Sequence, residues 1–388
     1  MAKASKARTR VAIVYGGKSA EREVSFVSAR NVAAAIDPEK YELVLIGIDA
    51  QGRWSVEGPA LGQAIEPGEG AALEALAGTV PSGKGPPSEA SAASEVRGLI
   101  ADRRRDSPLG GVDVLFPLLH GTSGEDGSIQ GFARMAGLPC VGADILGSAL
   151  CMDKDAAKRL MREAGIPVTP FIVFSSSEGA RLAREEVFGA LGRDVFVKPA
   201  NLGSSVGISR ARTEEEYETS ISLAFRYDTK VLVEKTIFGR EIEVAVRGRR
   251  GRSGWRELEA SMPGEVIPRN GFYSYEAKYV DEEGAEILAP AAIAPQEAEA
   301  CRRLALEACR ALCVRGMARV DMFLGYDGRP VASEVNTIPG FTQRSMYPLL
   351  WQASGLSLGA LIEGLIESAI EEFAERSALL TDAPLALG

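Results

Sequence analysis

One histidine, His120, stands in 388 residues, and the five cysteines (Cys140, Cys151, Cys301, Cys309 and Cys313) show no CxxC spacing. A Cys/His zinc set therefore lacks its partners, and an odd count without paired spacing argues against a disulfide framework. The expectation is buried free thiols in a reducing cytoplasm. No apolar run approaches the roughly 20 residues that span a bilayer, so no membrane partner is expected. The basic start, Met1 to Arg10, runs into Val11-Ala12-Ile13-Val14-Tyr15, too short for a secretory h-region and better read as a buried strand. A basic excess is also missing. With 44 basic against 53 acidic groups the net charge is −9, which argues against nucleic acid as a partner. What is present is 46% hydrophobic and 25% charged residues, the balance of a globular chain long enough for two or three domains.

The chain alternates short β-rich runs with helical patterns. Val11–Tyr15 and Leu43–Ile48 read as strands around a helix over Ser25–Ala35, the βαβ rhythm of a parallel sheet. Asp113–Pro117 and Gly127–Ala136 add a strand and a helix. Residues 78–110 are rich in proline, small residues and charge, and read as a surface insertion. Further on, helices are expected over Lys154–Ala164, Glu178–Leu191, Pro295–Leu312 and Leu358–Glu375. Strands are expected at Phe171–Phe174, Val195–Lys198, Val231–Glu234, Glu241–Arg247, Leu258–Met262, Ala318–Leu324 and Pro330–Glu334. Three blocks of α/β or α+β character fit this pattern.

Polar groups then stand where apolar ones are expected. Phe196-Val197-Lys198 closes a strand before the small-residue loop Pro199–Gly207, which suits either a phosphate cradle or an ordinary connection. Arg319-Val320-Asp321 and Glu334-Val335-Asn336 lie on two apolar strands joined by a turn at Tyr326-Asp327-Gly328-Arg329. Alternation puts Arg319 with Asp321, and Glu334 with Asn336, on one face each. Two carboxylates and an amide are hard oxygen donors suited to magnesium on nucleotide phosphates, or to a salt-bridged strand pair. Glu234-Lys235 ends one strand and Gly239-Arg240-Glu241 opens the next, either as nucleotide contacts or as surface charges. Gly16 to Ser25 joins the first strand to its helix without a GxGxxG fingerprint. Leu119-His120-Gly121 opens a glycine-rich polar loop at a strand's carboxyl end, where open α/β sheets place ligands, so His120 reads either as a structural histidine or as a ligand contact.

In this order, GGKSAEREVS, LHGTSGEDGSIQG, Met152-Asp153-Lys154, FVKPANLGSSVG, Glu234-Lys235, Gly239-Arg240-Glu241, Phe272 to Tyr279, Arg319-Val320-Asp321 and Glu334 to Thr342 resemble the D-alanine–D-alanine ligases of the ATP-grasp superfamily. The similarity runs from Val11 to about Leu365. It implies an ATP-grasp fold of mixed α/β and α+β class behind a Rossmann-like (pre-ATP-grasp) domain. The division would be a substrate domain over 1–152, a central lid over 153–240 and a catalytic domain over 241–388. The implied reaction uses ATP and two magnesium ions, or manganese, to join two D-alanine molecules through an acylphosphate, for peptidoglycan precursors in the cytoplasm. A homodimer is implied as well.

The resemblance also implies roles. Glu21 holds the first substrate's ammonium, with His120 beside it. Asp321, Glu334 and Asn336 hold the metals, and Arg319 and the Gly340 N–H meet the tetrahedral oxyanion. Lys154, Lys198 and Lys278 meet phosphates, while Glu234, Lys235, Ile237, Glu241 and Phe272 take the nucleoside. Ser345, followed by Met346, holds the second substrate's carboxylate. Ser204 and Tyr279 orient Glu21 and close the segment Phe272–Tyr279 over the site, and a tyrosine at 279 favours the dipeptide over a depsipeptide. The sequence departs from the family pattern at Ser274 and Thr236.

Overall fold

The computed structural model describes residues 8–19, 21–57, 111–203, 205–250, 256–269 and 284–379. The insertion expected at 78–110, together with Ser204, Phe272, Ser274, Lys278 and Tyr279, lies outside these residues.

Strands β1 (Thr9–Gly16), β2 (Tyr41–Ile48), β3 (Trp54–Glu57) and β4 (Val114–Leu118) form a sheet in the order β3-β2-β1-β4. β1 runs parallel to both β2 and β4. A parallel strand is covered on both faces, which explains the unbroken apolar run: Val11 to Val14 are fully buried. Helix α1 (Arg22–Ala35) follows β1. Helices α2 (Ser128–Met135), α3 (Ile145–Met152) and α4 (Lys154–Glu163) come after β4.

The middle of the chain builds an antiparallel sheet from β5 (Phe171–Phe174), β6 (Val195–Pro199), β7 (Ser209–Ala211) and β8 (Val231–Lys235), ordered β5-β8-β6-β7. Its apolar face packs on α5 (Ser177–Leu182), α6 (Arg184–Leu191) and α7 (Glu214–Ala224) around Val187, Phe188, Tyr217 and Ile221. The single helix expected over Glu178–Leu191 is thus two helices that meet at Ala183. At the break Arg184 pairs with Glu214 and Glu218, which fixes the start of α6 on α7.

The remaining strands are β9 (Gly239–Arg250), β10 (Arg256–Ala260), β11 (Gly264–Pro268), β12 (Ala285–Leu288), β13 (Met317–Gly325) and β14 (Pro330–Asn336). They form an antiparallel sheet ordered β12-β11-β9-β13-β14, with β10 also paired to β9. The β13–β14 turn is as expected, with Gly328 at φ +73°. Alternation sorts the sheet. Ile242, Val244, Val246, Ala318, Val320 and Met322 point into a core under helix α8 (Pro295–Ala311). Their neighbours Glu241, Glu243, Arg319 and Asp321 take the other face. Cys151, Ala157 and Met161 of α3 and α4 also enter that core. Helices α9 (Met346–Ala353) and α10 (Leu358–Ser377) pack Trp351, Leu361 and Leu365 into one core with Val11, Ile13 and Phe116 of the first sheet. The first and third blocks are thereby one packed body.

All five cysteines are free. Cys151, Cys301 and Cys309 are buried as expected, but Cys140 is half-buried and Cys313 is exposed. The expectation fails at Cys313 because α8 ends at Ala311. Cys313 follows with φ +57°, turned away from the helical face it would have shared with Cys309.

Candidate active site

The first part of the site comes from loops at the carboxyl ends of β1 and β4. Ser25, in the first turn of α1, accepts from the Gly16 N–H and donates to the Leu118 carbonyl, locking the helix start to both strands. This presents Glu21, the N-cap residue, toward Gly121 and Gly203. A Cβ on Gly203 would lie 3.2 Å from Glu21 Oε2, so a side chain there would crowd the carboxylate. The loop after His120 folds tightly on itself. At Gly124 a Cβ would sit 1.8 Å from the Leu119 carbonyl oxygen, which only glycine avoids.

His120 is buried, and its Nδ1 lies 2.9 Å from the Ile338 carbonyl oxygen. A carbonyl only accepts, so this contact assigns the proton to Nδ1 in the neutral ring. Burial pushes the His120 pKa down, against the raising influence of Glu21 and of that hydrogen bond. Nε2 is then a buried acceptor with no hydrogen-bond partner among the described residues. Linkage gives the sign of the pH effect. A histidine with a depressed folded pKa contributes stability above its unfolded value near 6.5, lost as pH falls below it. Thermal melts between pH 7.5 and 5 are therefore expected to show a steeper loss for the native chain than for His120→Gln. Parallel curves would contradict the buried neutral ring.

Glu125 was not anticipated by the sequence reading. It accepts from the Gly121 N–H at 2.7 Å and from the Ile338 N–H at 3.2 Å, joining the His120 loop to the segment before Gly340. Burial, and after it the charge of Glu21, push its carboxyl up to about 8.

The second part lies on the polar face of the β9–β13–β14 sheet. Register sets Asp321 opposite Glu334 and Arg319 opposite Asn336. Arg319 donates from Nε and Nη2 to the two oxygens of Asp321, each at 2.7 Å, and Asn336 Nδ2 donates to Asp321 Oδ2 at 3.0 Å. Glu243 Oε2 stands 3.0 Å from Arg319 Nε. Burial opposes the charge of Arg319, yet Asp321 and Glu243 hold its pKa well above the ordinary value. Lys154 reaches Glu334 at 3.5 Å and donates to the Leu202 carbonyl at 2.6 Å. Among the described residues no three His, Cys, Asp or Glu side chains gather as a ligand group; the third oxygen donor here is the Asn336 amide. The donors are hard oxygens of the kind a divalent cation takes, with the two facing carboxylates here paired to Arg319 and Lys154.

These parts line one cleft of about 130 Å³, which includes Glu21, His120, Glu125, Gly203, Glu243, Arg319, Glu334, Asn336, Gly340, Ser345 and Met346. Ser345 Oγ accepts from the Thr342 N–H at 3.0 Å, and Gly340 is tight against it. A second cleft of about 390 Å³ lies between the four-stranded and six-stranded antiparallel sheets. Lys198, Glu234, Lys235, Ile237, Glu241, Asp321 and Glu334 line it, with Phe196, Phe238 and Met322 as its apolar wall. Glu243 and Glu334 border both clefts.

Within the second cleft the Glu234 side chain is turned inward. Its carboxylate pairs with Lys198 at 2.8 Å and with the fully buried Lys158 at 3.2 Å. Burial opposes its ionisation, but the two lysines together hold its carboxyl below the ordinary range. Lys158 was also missed, because a lysine in an amphipathic helix reads as solvated. Thr236 donates to Asp194 at 2.8 Å, so the residue at this departure from the family pattern belongs to a side-chain network of its own.

The chain matches the family models described as D-ala D-ala ligase N-terminus, over residues 10–143, and D-ala D-ala ligase C-terminus, over residues 160–367. It is 46% identical to D-alanine–D-alanine ligase A of Escherichia coli strain K12 over 376 residues, covering 96% of this chain and 99% of that one. Two solved structures share the fold at 33% identity. The D-alanine-D-alanine ligase of Coxiella burnetii gives a TM-score of 0.76, with 95% and 96% of the two chains covered. The VanG D-Ala:D-Ser ligase of Enterococcus faecalis gives 0.75, with 94% and 100% covered.

Proposed function

This chain belongs to the D-alanine–D-alanine ligase family, and from that premise we propose how its two clefts work together. It is an ATP-dependent ligase of the ATP-grasp fold that joins two D-alanine molecules. The observation that carries the mechanistic reading is Arg319. It lines the cleft that holds Glu21 and His120, beside Asp321 and Glu243, and Glu243 also borders the cleft that holds Lys198 and Glu234.

The proposed sequence begins with ATP in the larger cleft, its base against Phe196, Ile237 and Met322 and its phosphates toward Lys154 and Lys198. The Glu234 carboxylate serves by fixing Lys198, which leaves main-chain groups near Lys235 and Ile237 for the base and Glu241 for the ribose. Glu21 pairs with the ammonium of the first D-alanine. His120 Nε2 can only accept, so it suits an ammonium N–H and not a carboxylate. The carboxylate of that D-alanine attacks the γ-phosphorus, ADP leaves, and an acylphosphate forms. The amine of the second D-alanine, held through its carboxylate at Ser345, then adds to the acyl carbon. Arg319 and the Gly340 N–H meet the resulting oxyanion, and phosphate departs with the proton the amine gives up, while the C–N bond is kept.

Asp321, Glu334 and Asn336 would hold two magnesium ions, or manganese, which when bound neutralise phosphoryl charge. Lys278, Phe272, Ser204 and Tyr279 complete the proposed set as nucleotide contacts and closure of the site. The same reading includes a division at 1–152, 153–240 and 241–388, a homodimer, and a cytoplasmic role in peptidoglycan precursor synthesis. Among the described residues no single helix is long and apolar enough to cross a membrane.

The likeness to the VanG D-Ala:D-Ser ligase makes the second substrate the point to test. Phosphate release should be followed with D-alanine alone and with D-alanine plus D-serine or D-lactate, identifying products by mass. D-alanyl-D-alanine is the expected main product under competition. A mixed product in excess would keep the chemistry and move the acceptor.

A further inference from the structure

We propose that Glu243 is a positioning residue that keeps Arg319 aimed into the smaller cleft while Asp321 serves a metal ion, an inference that rests on the assignment of Asp321 as a ligand above. Arg319 uses both oxygens of Asp321, and Asn336 donates to one of them as well. A guanidinium and a divalent cation drawn to the same carboxylate repel each other, so a metal held by Asp321 would weaken the grip of that carboxylate on Arg319. Arg319 needs a second carboxylate to stay in place.

Glu243 meets that need from the other side. β9 and β14 flank β13, and register sets Glu243 opposite Asp321 on β9, as Glu334 is opposite Asp321 on β14. Its Oε2 lies 3.0 Å from Arg319 Nε, and its side chain is only 10% exposed. A charge pair so withdrawn from water is little screened. Glu243 therefore leaves Asp321 to the metal and Arg319 to the oxyanion. With Glu243 neutralised, Arg319 leans wholly on Asp321 and competes with the metal for it.

The test uses the full chain, with Mn²⁺ as the probe and a non-hydrolysable ATP analogue bound, reading free Mn²⁺ by electron paramagnetic resonance. Glu243→Gln keeps the shape and removes the charge. Its Mn²⁺ affinity is expected to fall about 10-fold, the scale on which groups supporting metal ligands act. In Glu243→Gln/Arg319→Met the competitor is gone, and affinity should match that of Arg319→Met alone within about twofold. Glu243→Asp, which restores the charge, should recover at least part of the loss, a result that a purely structural role would not give. Unchanged Mn²⁺ affinity in Glu243→Gln, alongside a clear loss in Asp321→Asn, would overturn the inference and leave the metal reading intact. Unchanged affinity in both variants would overturn the two together.

Discussion

Arg319→Met is expected to lower kcat by about 10³-fold while leaving the KM for ATP within a few-fold. Removing one preorganised donor from an oxyanion site costs about 10²–10³ in kcat, and Arg319 brings a full charge as well. Its guanidinium is set by Asp321 and Glu243 before any substrate enters, so little reorganisation is needed when the oxyanion forms. The nucleotide's proposed contacts, Lys198, Ile237 and Glu241, line the larger cleft, which does not include Arg319. The loss should therefore fall on turnover. Steady-state kinetics check this, and a kcat within tenfold of the native value would remove Arg319 from the reacting centre.

Glu334→Gln should be nearly as damaging, with phosphate release reduced by about 10²-fold or more. Groups that merely support metal ligands cost about 10–100-fold, so a residue that would itself hold the metal should cost at least the upper end. Glu334 faces Asp321 across the β13–β14 pair, pairs with Lys154 and borders both clefts. An amide keeps the shape but not the charge. The signature expected beside the lost turnover is a raised Mg²⁺ requirement. Near-normal release at unchanged Mg²⁺ would refute the metal assignment.

Periodicity and turn chemistry made much of this fold legible. The unbroken apolar run at Val11–Tyr15 is a parallel strand buried on both faces. Arg319 and Asp321, alternating with Val320 and Met322, announced a strand with one face in a core and the other in a cleft. The short strands β3, β7, β11 and β12 were not seen, nor were α3, α7 and α9. Strands of three to five residues of mixed polarity carry little period. The site was legible where a charge interrupts an apolar strand or a glycine-rich loop follows one. It was not legible where function depends on a contact across sheets. Glu243 sits one alternate position from Glu241 and reads as a solvated strand residue until β13 brings Arg319 against it. Lys158 reads as the polar side of a helix until Glu234 is found 3.2 Å away. Glu125 looks like loop charge, yet it ties together two segments more than two hundred residues apart.

The most direct test of the central claim is turnover of D-alanine labelled with ¹⁸O in its carboxyl group, with ATP and Mg²⁺, analysing both products by mass. Attack by the carboxylate on the γ-phosphorus, followed by displacement of phosphate, carries one carboxyl oxygen into the phosphate released. The account predicts D-alanyl-D-alanine together with phosphate bearing one ¹⁸O. No dipeptide, or dipeptide accompanied by unlabelled phosphate, would contradict it.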